Sequence, residues 1–267
     1  MHARHGVVVV TAMLLLASTL HAQSGAYRLV GKPGDWAATK VGVGMGGKLY
    51  TVESSGMLYV TDPTSGTWKQ IGKPEFANTV LIMAAGGQLF TIEKDGSLYA
   101  DNPSDGSWRQ VGRPGEWHDT IAGVGLGGKL YTVEAGGALY ATDPGTGYWK
   151  QVGKLDFANT KFLMAAGSML YTIETSGGLY SVSPVDGSWR QLGSGPEWKA
   201  TTAALGLGNK LYTVESSGAL FVTDPATGAW KQIGKADYGD TKLLLEAGGS
   251  PAVIDAGGSL WLVDVNR

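Results

Sequence analysis

The sequence predicts an all-β, six-bladed β-propeller of four-stranded blades, built as three two-blade repeats and closed by an N-terminal strand in the last blade. Three observations carry that prediction. A unit of about 40 residues recurs along the chain, an acidic residue marks the same point in every copy, and the two chain ends hold complementary parts of one repeat.

Residues 46–72, GGKLYTVESSGMLYVTDPTSGTWKQIG, display the unit. Aromatic and β-branched residues predict strands at 48–52, 57–61 and 67–71, while the intervening ESSG and DPTSG stretches read as turns. Near-copies occupy 86–112, 127–153 and 208–234, and more degenerate ones begin at Gly167 and Gly248. A fourth strand per unit comes from 39–45 and its equivalents, such as 79–85 and 160–166.

The acidic mark falls at Glu53, Glu93, Glu134, Glu174, Glu215 and Asp255, at intervals of 40, 41, 40, 41 and 40 residues. Trp68, Trp108, Trp149, Trp189 and Trp230 keep the same alternation, which leaves the sixth copy without its tryptophan strand. Tyr27-Arg-Leu-Val-Gly31 aligns with Trp68-Lys-Gln-Ile-Gly72 and supplies the missing piece. A ring needs such a split repeat, whereas an open solenoid has no reason for one.

Odd copies open with glycine-alternating strands, VGVGM at 41–45 and AGVGL at 122–126; even ones open with LIMAA at 81–85 and FLMAA at 162–166. The true unit is therefore a pair of blades, 81 residues long and used three times. Glycine and alanine here suit strands crowded around a central channel. Functional sites, if repeated, would number three rather than six.

The N-terminus is different in kind. Residues 1–22 combine a basic start, an apolar run over 7–20 and the sequence Leu20-His-Ala22, the layout of a signal peptide, so the propeller is expected over 23–267. The mature protein is then expected to be secreted or periplasmic, with no membrane span after cleavage. A net charge of −2 gives no attraction to nucleic acid, and the absence of cysteine excludes disulfides and thiolate chemistry.

Catalytic signals are sparse. His118 is the single histidine beyond the signal segment, which excludes histidine metal sites and Ser-His-Asp triads; no metal and no cofactor is expected. The glycine-rich strands lack the following helix of a phosphate loop, and the Asp-Pro turns lack a calcium-ligand series. Glu246 stands where the other copies carry Gly44, Ala84, Gly125, Ala165 and Gly206, and is expected to be a solvated carboxylate in the channel. One acid is not a catalytic pair.

The loops between units each place an acid before an aromatic: Asp35-Trp36, Glu75-Phe76, Glu116-Trp117, Asp156-Phe157, Glu197-Trp198 and Asp237-Tyr238. In a propeller these loops share one rim with Glu53, Glu134, Glu215 and their equivalents. Aromatic faces beside carboxylates suit sugar rings, with their apolar faces and polar edges. Trp36, Trp117 and Trp198 are the candidate platforms, partly exposed, with Asp35, Glu116, Glu197, Phe76, Phe157, Tyr238, Glu53, Glu134 and Glu215 around them. The alternative is that each aromatic wedges between blades while the acid caps a turn. Trp68 and its repeats are expected to be packing residues.

The W-x-Q-[IV]-G strand, the strand ending in A-G, and the G-x-L-[YF]-T-[VI]-E and G-x-L-Y segments resemble tectonin and tachylectin-type propeller repeats from Tyr27 to about Asp264. That resemblance implies lectin activity toward glycans, cell-surface polysaccharide or lipopolysaccharide. The expectation is thus a secreted, non-enzymatic, carbohydrate-binding propeller with multivalent inter-blade sites. A periplasmic or surface scaffold for a protein partner is the alternative, and a carboxylate-based lyase or hydrolase the third reading.

Overall fold

The structure is a computed structural model and describes residues 26–265. The signal-peptide reading concerns residues 1–22 and lies outside the described residues. The strands are β1 (Tyr27–Val30), then β2 (Thr39–Met45), β3 (Lys48–Glu53), β4 (Leu58–Thr61) and β5 (Trp68–Ile71) of the first blade. The second blade has β6 (Thr79–Ala85), β7 (Gln88–Glu93), β8 (Leu98–Asp101) and β9 (Trp108–Val111). The third has β10 (Thr120–Leu126), β11 (Lys129–Glu134), β12 (Leu139–Thr142) and β13 (Trp149–Val152). In the fourth they are β14 (Thr160–Ala166), β15 (Met169–Glu174), β16 (Leu179–Val182) and β17 (Trp189–Leu192). The fifth contains β18 (Thr201–Leu207), β19 (Lys210–Glu215), β20 (Leu220–Thr223) and β21 (Trp230–Ile233), and the chain ends in β22 (Thr241–Ala247), β23 (Ser250–Asp255) and β24 (Leu260–Val263).

These strands form six four-stranded antiparallel sheets, and the sixth runs β1-β24-β23-β22. The register Tyr27↔Val263 to Val30↔Leu260 is the ring closure expected from the split repeat. Pro251 lacks the N–H that would extend the β23–β24 ladder, which begins at Ala252↔Leu262, whereas the β3–β4 ladder begins one position earlier at Leu49↔Thr61.

Core side chains gather between blades, at what we call seams. Each seam among the described residues has its own cluster, and each cluster contains one loop aromatic: Trp36, Phe76, Trp117, Phe157, Trp198 or Tyr238. A blade carries apolar side chains on both faces, so it buries them only against its two neighbours.

The two-blade repeat has a packing cause. A Cβ on Gly44, Gly125 or Gly206 would strike the carbonyl oxygen of Glu246, Ala84 or Ala165 on the innermost strand of the preceding even blade. Leu81 and Met83 press into the notch left by Gly123, as Leu245 does at Gly42. Bulky even strands thus fit into glycine odd strands across the seams between blades six and one, two and three, and four and five.

Candidate functional site

The loop rim is built as the sequence suggests, with the inter-blade loops beside the turns that follow the second strand of each blade. Phe76 N–H donates to Gly56 O at 2.9 Å and Lys94 N–H to Asn78 O at 2.9 Å, and equivalent bonds recur around the ring. The rim therefore does bring the acid–aromatic pairs close to Glu53, Glu93, Glu134, Glu174, Glu215 and Asp255.

The rings do not stand as platforms. Trp36, Trp117 and Trp198 are only 3%, 4% and 4% exposed, and Phe76, Phe157 and Tyr238 are buried with them. The expectation of partly exposed odd-loop tryptophans is corrected, and the wedge alternative describes their packing. The cause is local. Each Trp N–H donates to the turn carbonyl of Gly258, Gly96 or Gly177, folding the loop inward, and the indole lies over Gly31, Gly112 or Gly193. Those glycines have φ of +66°, +66° and +71°, and an added Cβ would meet the indole.

The paired acids then divide into two kinds. Asp35, Glu116 and Glu197 turn back on their own loops, accepting from Lys32 N at 3.0 Å, Arg113 N at 2.8 Å and Ser194 N at 3.3 Å. Glu75 and Asp156 reach outward instead, accepting from the indole Nε1 of Trp108 at 3.0 Å and of Trp189 at 3.1 Å. The extra residue of the odd loops is what lets the acid close on its own backbone.

The outer tryptophans pack as expected on one side only and are half exposed on the other. Trp68, Trp108, Trp149, Trp189 and Trp230 are 40–52% exposed, because the outermost strand has no further strand to cover it. Each is held edge-on by an aromatic of the neighbouring strand, Tyr59, Tyr99, Tyr140, Tyr180 or Phe221, at centroid distances of 4.9–5.3 Å. In the sixth blade the roles are exchanged, with Tyr27 against Trp261 at 5.2 Å.

Beneath Trp108, on the face of blade two turned toward blade one, lies a cavity of about 360 Å³. Its mouth carries Glu75, Lys94 and Asp95, its wall Tyr99 and Glu93, and its floor Phe76, Thr91 and Asp101. The equivalent cavity in blade six is about 160 Å³, lined by Tyr27, Asp237, Tyr238, Asp255 and Trp261.

Asp101 was not among the sequence-derived candidates. It is fully buried, and neither carboxylate oxygen meets a hydrogen-bond donor in good geometry. Burial pushes its carboxyl up to about 7, a rise tempered by the Thr91 hydroxyl and increased by Glu93. Glu93 is also raised, by burial first, although Thr79 Oγ1 donates to it at 2.6 Å. The signal was present in the repeats: the other five copies carry Thr61, Thr142, Val182, Thr223 and Val263 at this position.

In the channel, a cavity of about 260 Å³ is lined by Gly44, Ala84, Gly125, Ala165, Gly206 and Glu246. Glu246 accepts from Gly249 N–H at 2.8 Å, which ties it to its own hairpin.

Comparison with known proteins gives two family profiles. The DUF6242 beta propeller domain matches residues 37–162, and outer membrane protein assembly factor BamB matches residues 107–253. No curated protein matches the chain. Among solved structures, virginiamycin B lyase from Staphylococcus aureus is 11% identical, with a TM-score of 0.59 over 87% of this chain and 83% of that one. YCF48 bound to D1 peptide is 18% identical, with a TM-score of 0.59 over 90% and 78%, and YCF48 from Cyanidioschyzon merolae is 12% identical, with 0.55 over 83% and 81%. Such identities show a shared fold alone. These findings establish a β-propeller domain and not the narrower tectonin or tachylectin grouping. The second profile spans more than half of the sequence, and the chain belongs to the β-propeller family which that profile describes as outer membrane protein assembly factor BamB.

Proposed function

We propose that this propeller is an exported, non-enzymatic scaffold that binds a protein partner on its outer surface. The observation that carries the reading is the belt of five half-exposed indoles, each fixed by an edge-to-face aromatic neighbour. A rigid exposed tryptophan loses little side-chain freedom on binding and buries a large area, which is why tryptophan dominates interface hot spots. Arg28, Arg109 and Arg190 accompany the belt on the outer strands of the even blades, and arginine is enriched at interfaces for similar reasons. The family description names an assembly factor, and one solved propeller of this fold, YCF48, is described as bound to D1 peptide. Both point the same way.

A glycan ligand is the second reading. It is favoured by one local arrangement, the exposed Trp108 ring with the Glu75 carboxylate at its edge. The two separate in one experiment. The mature protein and a variant with alanine at Trp68, Trp108, Trp149, Trp189 and Trp230 are cross-linked in an exported-protein extract. The scaffold reading expects a discrete partner held by the parent, absent from the variant, and undisturbed by free monosaccharides. Identical capture by both proteins, or release by a sugar, overturns it.

A further inference from the structure

We infer that the seam between blades one and two is a socket for a primary ammonium carried on an aliphatic stem, namely a lysine side chain of a partner polypeptide. This rests on the scaffold reading and locates one contact of it. The cavity, about 360 Å³, has the volume and lining for such a group. Tyr99 and the edge of Trp108 offer apolar and π surface near the mouth, and Phe76 continues it inward. At the bottom stands Asp101, buried, with the Thr91 hydroxyl beside it and no cationic partner, and Glu93 lies near it with one oxygen engaged by Thr79. A buried carboxylate without a compensating cation is costly, so an incoming ammonium is attracted there.

The lysines of this chain do not occupy the role. Lys40 directs its Nζ to the backbone carbonyls of Phe76 and Ala77, at 3.0 and 2.7 Å, and Lys94 is exposed at the mouth. The ion pairs found among the described residues are His118–Asp119 and Lys210–Asp224, which leaves these carboxylates without one. No group of three acidic or histidine side chains among the described residues comes together closely enough for a metal ion. An ammonium needs less: two oxygens and a hydrogen-bonding site deep enough to shed water. A lysine places its charge at the end of four methylenes, which can lie along Tyr99 and Phe76 while the head reaches Asp101.

The site is unique in the ring. The five other copies of Asp101 are threonine or valine, so the socket is a modification of one seam and not a property of the repeat. That supplies a substitution with a native precedent, Asp101→Thr.

The test uses the mature protein labelled with 5-fluorotryptophan, with the Trp108 resonance assigned through Trp108→Phe. Nα-acetyl-lysine amide should shift that resonance saturably, with half-saturation at about 1 mM. Its Nε-acetylated counterpart should leave it in place, and Asp101→Thr should weaken the response tenfold or more. Equal responses to the two lysine derivatives, or an unaffected Asp101→Thr variant, overturn the socket; the first of these needs no variant to fold. Glucosamine in a third arm separates sources, and binding of the amino sugar without the lysine derivative overturns the polypeptide assignment. Loss of lysine binding with belt-dependent capture intact refutes the socket alone. Lysine binding without belt-dependent capture refutes the scaffold reading alone.

Discussion

The six seams are of two kinds, which differ in their wedge, their loop acid and the packing of their inner strands. Between blades six and one, two and three, and four and five, the wedge is tryptophan, the loop acid caps its own backbone, and glycines of the odd strand admit the carbonyls of the even one. Between one and two, three and four, and five and six, the wedge is the smaller Phe76, Phe157 or Tyr238. In two of these the rim opens into a cavity, and in two the loop acid is free to hold an outer indole. Arg28 and Arg109 add a further tie across tryptophan seams, donating to Pro63 O at 2.7 Å and Pro144 O at 3.1 Å on the opposite rim. Both loop-rim cavities described here thus lie at smaller wedges, whereas the tryptophan seam between blades four and five opens near the opposite rim, into a cavity of about 410 Å³ lined by Tyr171, Arg190, Lys210 and Asp224.

Removing a wedge is the most forceful way to break this contrast. Trp117→Ala takes a buried indole from the middle of a seam and should cost about 3–5 kcal/mol in chemical unfolding. Trp108→Ala removes an equally large ring that is half exposed, and should cost about 1 kcal/mol or less. Comparable losses from the two would show that exposure does not separate these tryptophans.

The carboxylate of the first open seam gives the next effect. In the folded protein Asp101 titrates at about 7, while an unfolded aspartate titrates near 3.9. The folded state therefore holds a proton that the unfolded chain releases. Its contribution is fully present below about pH 4, is lost as pH rises through about 7, and is flat above that. The loss amounts to at most about 4 kcal/mol. Asp101→Thr should flatten this slope, gaining on the parent in unfolding free energy as pH rises from 4 to 8. A constant difference between the two proteins over that range would contradict the burial of the charge.

A smaller effect tests the interlocked strands. Gly125→Ala places a methyl against the Ala84 carbonyl and should cost roughly 1–3 kcal/mol, read as a lower unfolding midpoint. An unchanged midpoint would mean that glycine there answers to something other than the close approach of the even strand.

Much of this was legible in the sequence. The period, the split repeat and the Gly-alternating strands all follow from spacing, because ring closure and blade packing act on every copy alike. Burial of individual aromatics was not legible. Asp35-Trp36 reads as a polar loop with an exposed ring, since nothing in the dipeptide shows that Trp36 N–H will find Gly258 O in a turn 222 residues away. Trp68 reads as a packing residue at the start of the outermost strand, and the sequence does not show that only Tyr59 covers it, leaving half of the ring exposed. Asp101 was legible in principle, as the one acid in a column of threonine and valine. Its burial was not legible, because a single acid at the end of a short strand is equally compatible with an exposed turn residue.

The most direct test of the alternation reads one proton from each seam. The backbone amides of Trp36, Phe76, Trp117, Phe157, Trp198 and Tyr238 make the same bond, to the turn carbonyl of the preceding blade, at 2.9–3.1 Å. Native-state hydrogen exchange at these six amides therefore compares seam opening in matched chemistry. Slower exchange at Trp36, Trp117 and Trp198 than at Phe76, Phe157 and Tyr238 is the expected result. Equal protection at all six, or fastest exchange at the three tryptophans, would contradict the division of the ring into two kinds of seam.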